Sequence, residues 1–139
     1  MRSLAACLLL ALLGLTLPTS RLQAAETVPI ASFAPNPGNL RMFKYVPDRL
    51  PPGSPLVVAL HGCTQQATTF DDESGWTDLA ERFQFALLLP EQQEANNSAR
   101  CFNFFMEQHN RRGEGEAASI AAMVEAITVS TTWTWLAPS

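Results

Sequence analysis

Apolar positions fall into separated groups along the chain, and their spacing changes from group to group. Residues 4–17 are apolar apart from Thr16. Residues 26–40 are rich in Pro, Ala, Asn and Gly and contain Asn36-Pro37-Gly38-Asn39, a strong turn signal. Residues 40–46 read as a strand in which Met42, Tyr45 and Val46 give imperfect apolar spacing. A proline-rich stretch then leads into Leu56-Val57-Val58-Ala59-Leu60, a continuous apolar run expected to be a strand buried on both faces. Trp76, Leu79, Ala80 and Phe83 mark one face of a helix, with Ser74 as the expected N-cap. Residues 85–89 form a second short apolar strand closed by Pro90. Residues 91–114 are polar, with an aromatic island at Cys101-Phe102-Asn103-Phe104-Phe105. A last helix is expected from about Glu114, with Ile120, Met123, Val124 and Ile127 on its apolar face. Strands alternating with helices predict an α/β fold with a mainly parallel sheet.

Composition separates targeting from folding. Met1-Arg2-Ser3 is a short basic start, and small Ala24-Ala25 follow the apolar run before the first acid, Glu26. That order is the one of a secretory signal peptide over residues 1–25, because the apolar run is shorter than the roughly 20 residues of a membrane span. The product is expected to be secreted or periplasmic, with no membrane attachment once the signal is removed. Most of the apolar run follows Cys7 instead of preceding it, which disfavours a lipid anchor. An apolar fraction of 47% with 16% charged residues is globular rather than disordered composition. Arg111-Arg112 is the one basic cluster in the remainder, so a nucleic-acid partner is not expected. Cys63 and Cys101 remain after signal removal, and export permits them to pair without establishing it.

Few residues have the spacing that chemistry needs. His61-Gly62-Cys63 follows the apolar run directly, where α/β hydrolases build part of the oxyanion hole from a backbone N–H. In this reading Cys63 supplies the N–H, Gly62 lets the chain turn, and His61 packs and hydrogen-bonds the turn. A plain turn histidine has even odds on the dipeptide alone. Asp71-Asp72-Glu73 reads as a solvated loop before Ser74 rather than a calcium site. His109 has no partner at metal-ligand spacing and is expected at the surface; no metal and no cofactor are expected. Arg111-Arg112 reads as a solvated pair. Phe102, Phe104 and Phe105 serve equally as an apolar cleft wall or as core.

Longer stretches tip the balance. Val58-Ala59-Leu60-His61-Gly62-Cys63-Thr64-Gln65 resembles the poly(3-hydroxybutyrate) depolymerase-like esterases, an extracellular family that includes feruloyl and acetylxylan esterases. The likeness continues through Ser74-Gly75-Trp76, Leu89-Pro90-Glu91-Gln92-Gln93, Ala95-Asn96-Asn97 and the aromatic island. It runs on through Arg111-Arg112-Gly113-Glu114-Gly115-Glu116-Ala117 to Met123-Val124, covering about residues 40–127. The resemblance implies the N-terminal part of an α/β-hydrolase fold over residues 26–127, with strands and two helices. It implies an oxyanion loop at His61, Gly62 and Cys63, and a substrate-pocket wall at Phe102, Phe104 and Phe105. It implies a Cys63–Cys101 disulfide and, in the intact family, a polyester or an aryl or acyl ester as substrate.

The same comparison shows what these residues lack. None of the nine serines sits in a Gly-x-Ser-x-Gly elbow, and the candidate Asp and His residues precede the place where that elbow would stand. No catalytic nucleophile or triad is expected in this sequence. Residues 128–139 do not continue the resemblance, and a shifted reading frame is the expectation for this tail. One test of it is codon-based, because Trp133 followed by Thr134 must read as Asp one frame over. The sequence therefore reads as the front portion of a secreted serine ester hydrolase. A short exported binding protein without catalysis is the alternative, and a cysteine hydrolase using Cys63 and His61 is disfavoured by their adjacency.

Overall fold

The computed structural model describes residues 26–130; the expected signal peptide and residues 131–139 of the tail lie outside the described residues. Within that span the strands are β1 (Val28–Ile30), β2 (Arg41–Tyr45), β3 (Leu56–Val58) and β4 (Ala86–Glu91). The helices are α1 (Ala67–Ser74), α2 (Trp76–Phe83), α3 (Glu107–Asn110) and α4 (Gly115–Ser130). One sheet holds the four strands in the order β1-β2-β4-β3.

Strand alternation divides the core into two halves. Phe43 and Tyr45 of β2 lie opposite Leu89 and Leu87 of β4, and all four pack with Ala67 of α1, Ala80 of α2 and Phe85. Met42 and Leu88 point to the other side, where Leu40, Met123 and Ile127 meet them. Helices thus cover both faces of β4, which is buried along its whole length. The α/β class stands, and the expected apolar face of α4 is the one that packs.

The sheet is less parallel than the alternation of elements predicts. β1 with β2 and β2 with β4 run antiparallel, and β3 with β4 is the parallel pair. The reason is in the connections. A parallel pair needs a helical crossover, and among these strands only β3 to β4 has one, through α1 and α2.

One short apolar run stands at the edge of the sheet although its composition is that of a central strand. Residues 56–60 have the apolar run of a strand buried on both faces, yet among the described residues β3 is an edge strand, with Val58 37% and Leu60 46% exposed. β4 takes the centre and continues through Pro90 to Glu91. The Leu88 carbonyl accepts the Ala59 N–H on the β3 side. By the two-residue repeat Pro90 faces that same side, and having no N–H it does not carry the β3–β4 ladder further.

The segment before Trp76 is a helix rather than a loop, and Ser74 does not cap α2. Gly75, at φ 69°, ends α1 and opens α2 in the left-handed conformation that glycine adopts without strain. Asp71 is buried inside α1 and accepts the Thr27 hydroxyl. At the other end of α1, the buried Glu91 carboxylate accepts the Ala67 N–H at 2.8 Å. A strand-end carboxylate therefore caps a helix whose own sequence carries little amphipathic signal.

Candidate functional site

Past the end of β3 the chain turns at His61, which is buried. The Gln92 N–H donates to Nε2 of His61 at 3.0 Å. Nδ1 of His61 lies 2.6 Å from the Gly62 carbonyl. A backbone N–H can only donate and a carbonyl can only accept, so the imidazole carries its proton on Nδ1. The His61 ring packs at 5.0 Å from that of Phe102. Both nitrogens are committed to the backbone, so His61 holds the turn and is not placed as a general base.

The next residues form a tight, multiply anchored loop. The Gly62 N–H donates to Gln65 Oε1 at 2.7 Å, and a Cβ at Gly62 would come within 2.9 Å of that same oxygen. Thr64 has φ 66°, and its N–H donates to the Ala99 carbonyl at 2.7 Å. Arg100 Nη2 donates to the Thr64 carbonyl at 2.6 Å. Cys63 and Cys101 are joined by a disulfide with their Cα atoms 4.2 Å apart. Between these anchors the exposed Cys63 offers a backbone N–H with no acceptor among the described residues. Beside the loop a cavity of about 180 Å³ opens past the C-terminal end of β4, lined by Arg41, Glu91, Gln92, Glu94 and Arg100.

The three phenylalanines separate. Phe102 is half-buried and packs on the core half that holds Leu88 and Met123. Phe104 and Phe105 are 73% and 67% exposed and meet edge to face at 5.8 Å. Arg111 is exposed and pairs with Glu107, as a solvated residue does. His109 is only half at the surface, because its Nδ1 is buried 3.6 Å from Glu116 Oε1 without a hydrogen bond.

A polar network behind the loop has no counterpart in the sequence reading. Glu116, in the first turn of α4, is buried. Its Oε1 accepts from Gln92 Nε2 at 2.6 Å and from Asn103 Nδ2 at 2.8 Å. Its Oε2 accepts the Asn103 N–H at 2.8 Å. The available signal was an acid in the first turn of a predicted helix, which by itself indicates only favourable dipole placement. Among the described residues, no group of three or more His, Cys, Asp or Glu could hold a metal ion. No described helix is long and apolar enough to cross a membrane.

A helix-flanked sheet with a backbone-anchored turn after an apolar strand defines an α/β-hydrolase-type fold. The solved structure of acetyl xylan esterase from Aspergillus awamori is similar, with a TM-score of 0.63 and 30% identity over 78% of this chain and 36% of that one. The chain belongs to the esterase PHB depolymerase family, whose profile matches residues 45–133. It is 50% identical to poly(3-hydroxyalkanoate) depolymerase C of Paucimonas lemoignei over 96 residues, 69% of this chain and 23% of that protein. It is 33% identical to feruloyl esterase B of Neurospora crassa over 114 residues, 81% of this chain and 38% of that protein. The chain thus spans well under half the length of these relatives.

Proposed function

We propose that these residues are the front portion of an exported serine ester hydrolase, in which the Cys63 N–H is one donor of the oxyanion hole. The observation that carries this is an exposed Cys63 whose N–H has no acceptor among the described residues, on a loop held at Gly62, Thr64 and the disulfide. A rigid donor stabilises charge developing on an acyl oxygen without having to reorganise during the reaction. Gly62 allows the close turn, and His61 orients it through two backbone bonds. Nucleophile and base come from outside these 139 residues, which contain no Gly-x-Ser-x-Gly. The favoured substrate class is an aliphatic polyester, because the 50% identical relative is named for a poly(3-hydroxyalkanoate). Phe104 and Phe105 then offer apolar surface to the acyl chain. Arg41 and Arg100 line the polar cavity beside the loop.

The test is a chimera of the Paucimonas lemoignei depolymerase in which the matching segment is exchanged for the corresponding residues of this chain. Hydrolysis of a short nitrophenyl ester, abolished by a serine-directed inhibitor, is expected of the chimera and not of the 139-residue chain alone. Two double variants isolate the donor. Cys63→Ala with Cys101→Ala loses only the disulfide, whereas Cys63→Pro with Cys101→Ala also loses the N–H. The second is expected to have kcat lower than the first by about 10²–10³. Equal kcat values would remove Cys63 from the oxyanion hole.

A further inference from the structure

We infer that Glu116 is the positioning residue of the His61–Cys63 loop, acting through Gln92 on one side and through Asn103 and the disulfide on the other. The inference rests on the reading of Cys63 as an oxyanion donor and names what holds that donor in place.

The geometry converges on one carboxylate. Three N–H donors, from Gln92 Nε2, Asn103 Nδ2 and the Asn103 backbone, point at Glu116. Gln92 continues the path, because its own N–H donates to His61 Nε2. Its side-chain amide also reaches the Cys101 carbonyl at 3.3 Å. Asn103 stands two residues from Cys101, whose disulfide ends on Cys63. The two routes therefore meet the loop on either side of Gly62. Anchors on both sides of Gly62, together with the Thr64 bond to Ala99, restrict the loop in position and in rotation, and a backbone donor needs both.

The position of Glu116 is set independently. A Cβ at Gly38 would lie 2.6 Å from the Glu116 Cα, so the β1–β2 connection presses directly on the first turn of the helix. Replacement by glutamine keeps the shape of the side chain and replaces one acceptor oxygen with an NH2. Whichever way that amide turns, a donor faces a donor.

A buried network of this kind could also serve stability alone, and the measurements are chosen to separate the two roles. Ser119→Ala removes a buried polar contact on the same helix and does not touch the loop. It is the control. Using the oxidised 139-residue chain, Glu116→Gln is expected to speed exchange of the hydrogen-bonded loop amides of Gly62 and Thr64 by about tenfold or more relative to exchange at Leu87. Two glutathione thiols reduce Cys63–Cys101 to two thiols and yield glutathione disulfide. The equilibrium constant for that exchange is expected to rise by roughly tenfold in Glu116→Gln and to be unmoved in Ser119→Ala. Gln92→Met cuts one route only and should give a smaller shift in the same direction; it carries the test if Glu116→Gln does not fold. Loop amides and the redox equilibrium that move no further in Glu116→Gln, or in its Gln92→Met substitute, than in Ser119→Ala would overturn the inference. A chimera indifferent to the Cys63 N–H would instead overturn the donor reading and leave these measurements unaffected.

Discussion

The Gln92 N–H, at the C-terminal end of β4, donates to Nε2 of the buried His61 at 3.0 Å. This bond fixes the tautomer of His61 and joins the turn after β3 to the centre of the sheet. His61→Phe keeps a ring against Phe102 and leaves the Gln92 N–H without its acceptor. A buried donor left unpaired costs about 1–3 kcal/mol. Urea unfolding should show that loss for His61→Phe and a smaller one for His61→Gln, which retains an acceptor at similar reach. Matching midpoints for wild type and His61→Phe would mean the bond contributes nothing to stability.

The Cys63–Cys101 bond closes a loop with a sequence separation of 38. In the chain-entropy account a loop of that size contributes about 3–4 kcal/mol. The double variant Cys63→Ala with Cys101→Ala should unfold at correspondingly lower urea, and added reductant should not destabilise it further. A reductant-sensitive midpoint in that variant would show that the loss has another origin.

How far the fold could be read depended on periodicity. α2 and α4 were legible because Trp76 and Ala80, and Met123 and Ile127, recur at helix spacing and do pack in the core, whereas β2 was legible in spite of imperfect spacing, its Met42 and Tyr45 packing in opposite halves of the core. β3 and β4 were both recognised as short apolar runs, but two such runs carry no label saying which is central. Order in the sheet is decided by crossover and pairing, which are long-range properties. α1 was hidden because its start is capped by Glu91, 24 residues away, rather than by a neighbour. The role of His61 in the turn was legible from its place after an apolar strand. Glu116 was not, since its partners Gln92 and Asn103 lie 24 and 13 residues distant and no local pattern announces such a meeting.

Tyr45 is buried in the β2–β4 pairing region, and its hydroxyl donates to Glu81 Oε1 at 2.7 Å. Burial raises its pKa far above the ordinary tyrosine value, and the Glu81 hydrogen bond and charge add to this, with Asp48 and Asp78 contributing in the same direction. Below a pH of about 10 the proton is present in both folded and unfolded chains, and the contribution is complete. Above it the unfolded chain releases the proton while the folded chain keeps it, so stability falls as pH rises toward the folded-state pKa. Tyr45→Phe should flatten that alkaline slope. This is the chain's only tyrosine, so ultraviolet titration reads it without overlap. An ordinary titration midpoint in the folded chain would contradict the assignment.

The last expectation concerns the edge of the sheet. β3 pairs with β4 alone among the described residues, and Val58 and Leu60 stand exposed beside the unpaired side of the strand. An apolar edge with free backbone donors and acceptors invites another strand to add to it. The 139-residue chain should therefore self-associate with rising concentration in sedimentation velocity. Val58→Lys places a charge at an exposed edge position, where a surface change alters stability by no more than about 0.5 kcal/mol. It should shift the distribution toward monomer while leaving the urea midpoint close to that of wild type. Loss of association together with a lower midpoint would point to unfolding of the strand instead. A wild-type chain that stays monomeric across the concentration range would show that the β3 edge is already blunted by its short length and the proline-rich segment before it.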